Sequence, residues 1–233
     1  EILAMVSTPG YDPNTLDADW AALTSEENQD ANLLNRATQG QYPPGSTFKI
    51  LTALEYMREN PDTYQDFTYE CDGSMEYGDL VLACHEGHAH GTVDFKGALA
   101  QSCNGAFATM GLSLDKEKWA DMCEEFGFNQ ELPIDLLYSK SSFVVDSEST
   151  DWDIMQSAIG QGKTMESPIH NLMITSAVAN GGTTMAPYII DHTENADGEV
   201  ISKASPVQYR TVMTQEEATV LKADMISVGA EGS

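Results

Sequence analysis

The sequence is poor in positive charge, with 11 Lys and Arg against 37 Asp and Glu, a formal net charge of −26. Nucleic acid and anionic lipid surfaces would both be repelled by such a field, which argues against either as a partner. The acidic residues are spread along the chain and not gathered in one tail, so they read as a solvated, solubilising surface. Long apolar runs are also missing: none approaches the roughly 18 residues that a membrane-spanning helix needs. No secretion signal is visible, but a chain whose first residues read as a strand could not display one. There is no internal repeat and no low-complexity linker. A length of 233 residues suits one domain with a sizeable core. Gly162-Lys163-Thr164 carries the letters that end a phosphate-binding loop, yet that loop requires glycine where this chain has Ser157. Lys163 is read as an exposed loop residue.

Cysteine is scarce, and the four present admit three readings. Cys71 and Cys84 flank a turn-rich stretch, Asp72 to Asp79, that would fold back as a short hairpin. In an exported protein a Cys71–Cys84 disulfide would close it, contributing on the order of 3 kcal/mol in the chain-entropy model. Cys84 with His85, His88 and His90 instead offers a ligand set suited to zinc. The third reading is free thiols beside solvated histidines. Cys123 lies in an apolar-periodic stretch and reads as core.

The most informative segment is Tyr42-Pro-Pro-Gly-Ser-Thr-Phe-Lys49. A Pro-Pro-Gly turn delivers Ser46 to the start of an apolar helical run, with Lys49 almost one turn further on the same face. A serine hydroxyl is a weak nucleophile without an adjacent base. A lysine supplies one when burial lowers its pKa, and the positive end of a helix favours a developing alkoxide. Ser-x-x-Lys alone is a common pattern that more often marks an N-cap serine followed by a solvated lysine.

The surrounding residues narrow the reading. Asn35 to Lys49 resembles the active-site segment of the penicillin-binding proteins. Gln101-Ser102-Cys103-Asn104-Gly105 resembles that family's Ser-x-Asn box, with Cys103 at its tolerant middle position. Ala158-Ile-Gly-Gln-Gly162, Ser167-Pro168 and Ala179-Asn-Gly-Gly-Thr183 follow in the family's order. The resemblance spans Glu1 to Ser233 and implies an α+β fold, one antiparallel sheet of terminal strands beside a helical subdomain. It also implies acyl transfer on peptidoglycan stem peptides ending in D-Ala-D-Ala, with Ser46 as nucleophile, Lys49 as base, Ser102 as proton relay and Asn104 holding the substrate amide. Tyr42 and Gln161 are expected to line the cleft. No cofactor is implied, β-lactams would acylate Ser46, and the work would be done on the outer face of a bacterial membrane, behind an upstream anchor and within a cell-wall synthesis complex.

One departure stands out. The family's third box, Lys-Thr/Ser-Gly, does not appear after the Asn-Gly-Gly loop. The expectation is therefore a domain incomplete at both ends, whose residues 1–233 alone would be a weak catalyst for want of a carboxylate anchor and a second oxyanion donor. Two rivals remain. A serine β-lactamase would need a carboxylate to position water, for which Glu131 and Asp135 are the nearest candidates. A sensor domain would be acylated without turnover.

Periodicity predicts a buried helix from Ser46 to about Arg58, further helices over Phe95–Ala100, Asn104–Leu112, Asp115–Phe126 and Pro168–Ala179, and a capped one starting at Thr214. A strand is predicted at the N-terminus and a hairpin around Asn195-Ala-Asp-Gly198. Residues 61–94 lack helical periodicity, and 129–151 read as irregular.

Overall fold

Runs that are apolar on more than one face make the helices at the centre of the molecule. The structure is a computed structural model describing residues 1–231. Its helices are α1 (Leu16–Leu23), α2 (Arg36–Gln39), α3 (Lys49–Glu59), α4 (Phe95–Ala100), α5 (Asn104–Ser113), α6 (Lys116–Phe126), α7 (Asp151–Ala158), α8 (Pro168–Ala179) and α9 (Gln215–Glu231). In α3, Ile50, Leu51, Ala53, Leu54 and Met57 are all buried, because α5, α6 and α9 surround it. The helix ends follow from local chemistry. Asp115 accepts from the N–H groups of Glu117 and Lys118 to start α6, and Gly127, at φ 110°, ends it. Thr214 and Glu217 exchange capping bonds ahead of α9.

The strands form separate antiparallel pairs. β1 (Thr68–Cys71) pairs with β4 (Gly91–Asp94), and β2 (Ser74–Tyr77) with β3 (Leu80–Ala83). β5 (Thr183–Met185) pairs with β8 (Gln208–Thr211), and β6 (His192–Glu194) with β7 (Val200–Lys203). The architecture is α+β, as expected, but the described strands make four two-stranded ladders, where one sheet was anticipated. The N-terminal residues are extended without becoming a strand. Ile2 donates one backbone bond to the Tyr188 carbonyl, and a single bond is no ladder. The predicted hairpin forms around the Asn195–Gly198 turn, but its first strand is His192–Glu194, and the apolar Tyr188–Ile190 run expected to form it lies outside any strand.

Two features position the site. The excursion over 61–94, which periodicity left without structure, is a pair of nested hairpins: β1 and β4 outside, β2 and β3 inside. It packs against α5. Helix α7, not predicted, is started by a capping box between Thr150 and Asp153 and also packs on α5. A β-carbon on Gly111 would meet the Ala158 β-carbon at 2.6 Å, so a glycine allows that close approach.

Candidate active site

Ser46 lies not on an α-helix but on the 3-10 turn Gly45–Phe48 that leads into α3. The turn is held from three sides. Gly45 takes φ 61° and donates its N–H to the Gly160 carbonyl at 2.8 Å. Gly160, at φ 68°, permits this contact, because a β-carbon there would sit 2.2 Å from the Gly45 oxygen. Thr47 donates to the Pro44 carbonyl and accepts from Asn171 Nδ2. Phe48 is buried in an aromatic cluster, its ring 5.5 Å from Phe143 and 5.6 Å from Phe128. The nucleophile candidate thus sits on backbone that packing fixes before any ligand arrives.

Lys49 is fully buried. Its three ammonium donors are all used: the Ser102 carbonyl at 2.7 Å, Ser102 Oγ at 2.9 Å and Asn104 Oδ1 at 2.7 Å. The acceptors are neutral, and among the described residues Lys49 makes no ion pair with a carboxylate. Burial therefore lowers its pKa to about 8, against an opposing pull from the thiols of Cys103 and Cys84. An amine in that range is available as a base near neutral pH.

Ser102 donates to Ser46 Oγ at 2.7 Å. Ser46, Ser102, Lys49 and Asn104 therefore form one hydrogen-bonded run, and the recorded partner of Ser46 is the Ser102 hydroxyl. A shared helical face predicts Ser46 and Lys49 side by side, and the hydrogen-bonded run has the Ser102 hydroxyl between them. Ser102 has φ 51°, a left-handed conformation costly for a residue with a β-carbon. It is held there by the α4 terminus, where Ser102 N–H bonds to Leu99 and Cys103 N–H to Ala98. Asn104 opens α5 and donates Nδ2 to the Ala83 carbonyl at 2.9 Å, tying the box to the β2–β3 hairpin.

A cavity of about 920 Å3 opens over Ser46, Ser102 and Asn104, with Gln161 in its wall. Its other side is the 83–90 segment, including His85, Glu86, His88 and His90. That wall was not foreseen as part of the site. No periodicity marks it, and its contacts span dozens of residues. Tyr42, read from sequence as cleft-lining or structural, lines a second cavity with Pro44, Thr47, Glu166 and Asn171. Its backbone exchanges two hydrogen bonds with Glu166, at 2.9 and 2.8 Å. Glu131 and Asp135 lie outside the Ser46 cavity; Glu131 is taken up by Tyr138 and Lys140. Lys163 is exposed and pairs with Asp153 at 3.1 Å. Cys71 and Cys84 place their sulfurs 3.7 Å apart, while His85 and His88 are exposed and point to no common ligand position with them.

Glu166 is buried, with one oxygen accepting from Asn171 and the other without a partner. Desolvation raises its pKa to about 7. The folded state then holds a proton that the unfolded chain releases between about pH 4.5 and 7, so this group's contribution to stability is lost as pH rises through that window. Glu166→Gln should therefore gain on the order of 2 kcal/mol over the parent at pH 8, with the gain vanishing below about pH 5. Urea unfolding at the two pH values measures it, and an equal difference at both would assign the effect to packing.

The family model described as the penicillin binding protein transpeptidase domain matches residues 1–233. The peptidoglycan D,D-transpeptidase PbpA of Mycolicibacterium smegmatis is 30% identical over 239 residues, covering 97% of this chain and 48% of the relative. Stage V sporulation protein D of Bacillus subtilis is 30% identical over 237 residues, covering all of this chain and 35% of the relative. Among solved structures, the penicillin G acyl-enzyme complex of penicillin-binding protein A from M. tuberculosis superposes with a TM-score of 0.86 at 26% identity, over 99% of this chain and 55% of that one. The D,D-transpeptidase domain of a peptidoglycan glycosyltransferase from Eggerthella lenta gives 0.87 at 27% identity, over 99% and 58%. The chain spans about half or less of the length of these two curated relatives.

Proposed function

The chain belongs to the penicillin-binding protein transpeptidase family, and from that premise we propose that it crosslinks peptidoglycan by D,D-transpeptidation through an acyl-enzyme on Ser46. The observation that supports this most is the continuous run from Ser46 Oγ through Ser102 Oγ to the buried Lys49. Ser46 Oγ attacks the carbonyl of the penultimate D-alanine of a stem peptide. Its proton passes to neutral Lys49, with the Ser102 hydroxyl as the bridge. The C–N bond then breaks, and the leaving D-alanine amine takes a proton back through Ser102. An amine from a second stem peptide attacks the ester, forms the crosslinking amide and regenerates Ser46. Asn104 holds the donor's amide, and Gln161 lines its path. The chemistry is that of a serine and calls for no cofactor.

A β-lactam enters the same sequence as a cyclic acyl donor. Attack by Ser46 opens the ring, but the amine remains tethered and blocks the second acceptor. Peptidoglycan lies outside the cytoplasm, so the site would act on the outer face of the membrane. Among the described residues no helix is long and apolar enough to cross it; an anchor and contacts to a cell-wall synthesis complex would belong to the relatives' additional length. A β-lactamase must also position water with a carboxylate; neither Glu131 nor Asp135 lies in the Ser46 cavity, and the carboxylate in its wall is Glu86, so measured hydrolysis separates the two readings. Labelling the purified protein with penicillin should give one adduct per chain, with little steady-state hydrolysis of a chromogenic cephalosporin. Rapid turnover would make it a lactamase. Labelling without crosslinking of stem peptides would make it a sensor.

A further inference from the structure

Cys71, Cys84, Cys103 and His90 come together from four elements: the end of β1, the turn after β3, the N-cap of α5 and the residue before β4. One ligand atom from each lies within 4.8 Å of every other. Cys84 Sγ is 3.7 Å from Cys71 Sγ and 3.9 Å from Cys103 Sγ, and His90 Nδ1 is 3.2 Å from Cys71 Sγ. In a tetrahedral zinc site, Zn–S bonds of about 2.3 Å set neighbouring sulfurs about 3.8 Å apart. The two sulfur–sulfur spacings at Cys84 match that edge, and the His90 nitrogen lies closer to Cys71. All three cysteines are buried and His90 is half-buried.

We propose that these four residues bind a structural zinc ion, with three thiolates and the His90 imidazole as ligands and no open position. A disulfide is the competing use of these sulfurs. Any pair would leave the third thiol buried at its side, whereas one metal ion engages all three and the imidazole. The spacing in the chain, 12 residues between Cys71 and Cys84, 5 to His90 and 12 to Cys103, contains none of the short Cys-x-x-Cys steps that mark zinc sites in sequence. The ligand set also differs from the one that sequence suggested. Cys84 and His90 remain, while the exposed His85 and His88 give way to Cys71 and Cys103.

The position gives the ion a task. Cys103 stands between Ser102 and Asn104, and Cys84 follows Ala83, whose carbonyl accepts from Asn104. The metal would pin the Ser102–Asn104 turn to the 68–94 hairpins and hold Ser102 in its left-handed conformation.

The assignment stands independently of the acyl-transfer reading, because it is read by metal content. The reduced full-length protein, incubated with zinc and dialysed, should retain about one ion per chain. Cobalt substituted for zinc should show thiolate-to-metal charge transfer and the intense d–d bands of a tetrahedral site. His90→Ala and Cys71→Ser should each weaken zinc binding by more than about 100-fold, beyond the usual cost of losing an outer-shell partner. His85→Ala and His88→Ala should leave it unchanged. Retention below about a tenth of an ion by the reduced parent protein, or cobalt spectra lacking thiolate bands, overturns the site. So does zinc that is lost in the His85→Ala/His88→Ala pair and kept in the Cys71→Ser variant. The cobalt spectrum of the parent protein decides the matter even where a variant fails to fold.

Discussion

Ser46→Ala should abolish covalent labelling by penicillin while leaving the protein folded. Ser46 is the hydroxyl that faces the cavity on the fixed 3-10 turn, and its oxygen receives the Ser102 hydrogen bond. Replacing Oγ by hydrogen removes the only atom that would form the ester, so the loss is complete and not graded. Folding should survive because the turn is held by Gly45, Thr47 and Phe48 and not by the serine side chain. Mass spectrometry of the labelled parent should place the adduct on the peptide containing Ser46. An adduct on another serine, or undiminished labelling of the alanine variant, would falsify the assignment. Thermal unfolding of the variant within a few degrees of the parent separates lost chemistry from lost structure.

Lys49→Ala should slow acylation by roughly 10²–10⁴-fold with little change in the initial non-covalent affinity, the usual range for removing a positioned base. Lys49 is the one amine hydrogen-bonded to the Ser102 hydroxyl, and Ser102 in turn is bonded to Ser46. Without it the hydrogen-bonded run from Ser46 ends at the Ser102 hydroxyl, with no amine bonded to it. The substitution also leaves the Ser102 carbonyl and Asn104 Oδ1 without their donor, so some loss of stability is expected. Stopped-flow acylation resolves the issue, because it separates binding from the bond-forming step. If the bond-forming rate stays within about threefold, Lys49 only organises Ser102 and Asn104, and the proton leaves by another route.

Much of the molecule was legible from local pattern. Helices α3, α4, α5, α6 and α8 announce themselves through apolar spacing, and α9 through a capping box whose two bonds form as written. Both rest on physics confined to one or two turns of chain. The α7 capping box was harder to read because Asp153 stands where glutamate or glutamine is usual. The inner β2–β3 hairpin was legible only as a turn-rich fold-back between Cys71 and Cys84, and the outer β1–β4 pair escaped, because these strands are four residues long and only partly buried, too short to show alternation.

The sequence alone supplied the candidate residues of the site, Ser46, Lys49, Ser102 and Asn104, by type, order and resemblance, and placed Cys123 in the core by its apolar surroundings. Tertiary structure decided how those groups connect. It put Ser102 between Ser46 and Lys49, kept Lys49 from any carboxylate and so lowered its pKa, and made the 83–90 segment the far wall of the cavity. It also separated Tyr42 from Gln161 and drew Cys71, Cys84, His90 and Cys103 into one group. The reason is range. Caps and helical faces are set by residues three or four apart, whereas a lysine's desolvation or the convergence of three cysteines and a histidine depends on contacts between residues tens of positions apart in the chain, 55 for Lys49 and Asn104, which no local pattern encodes.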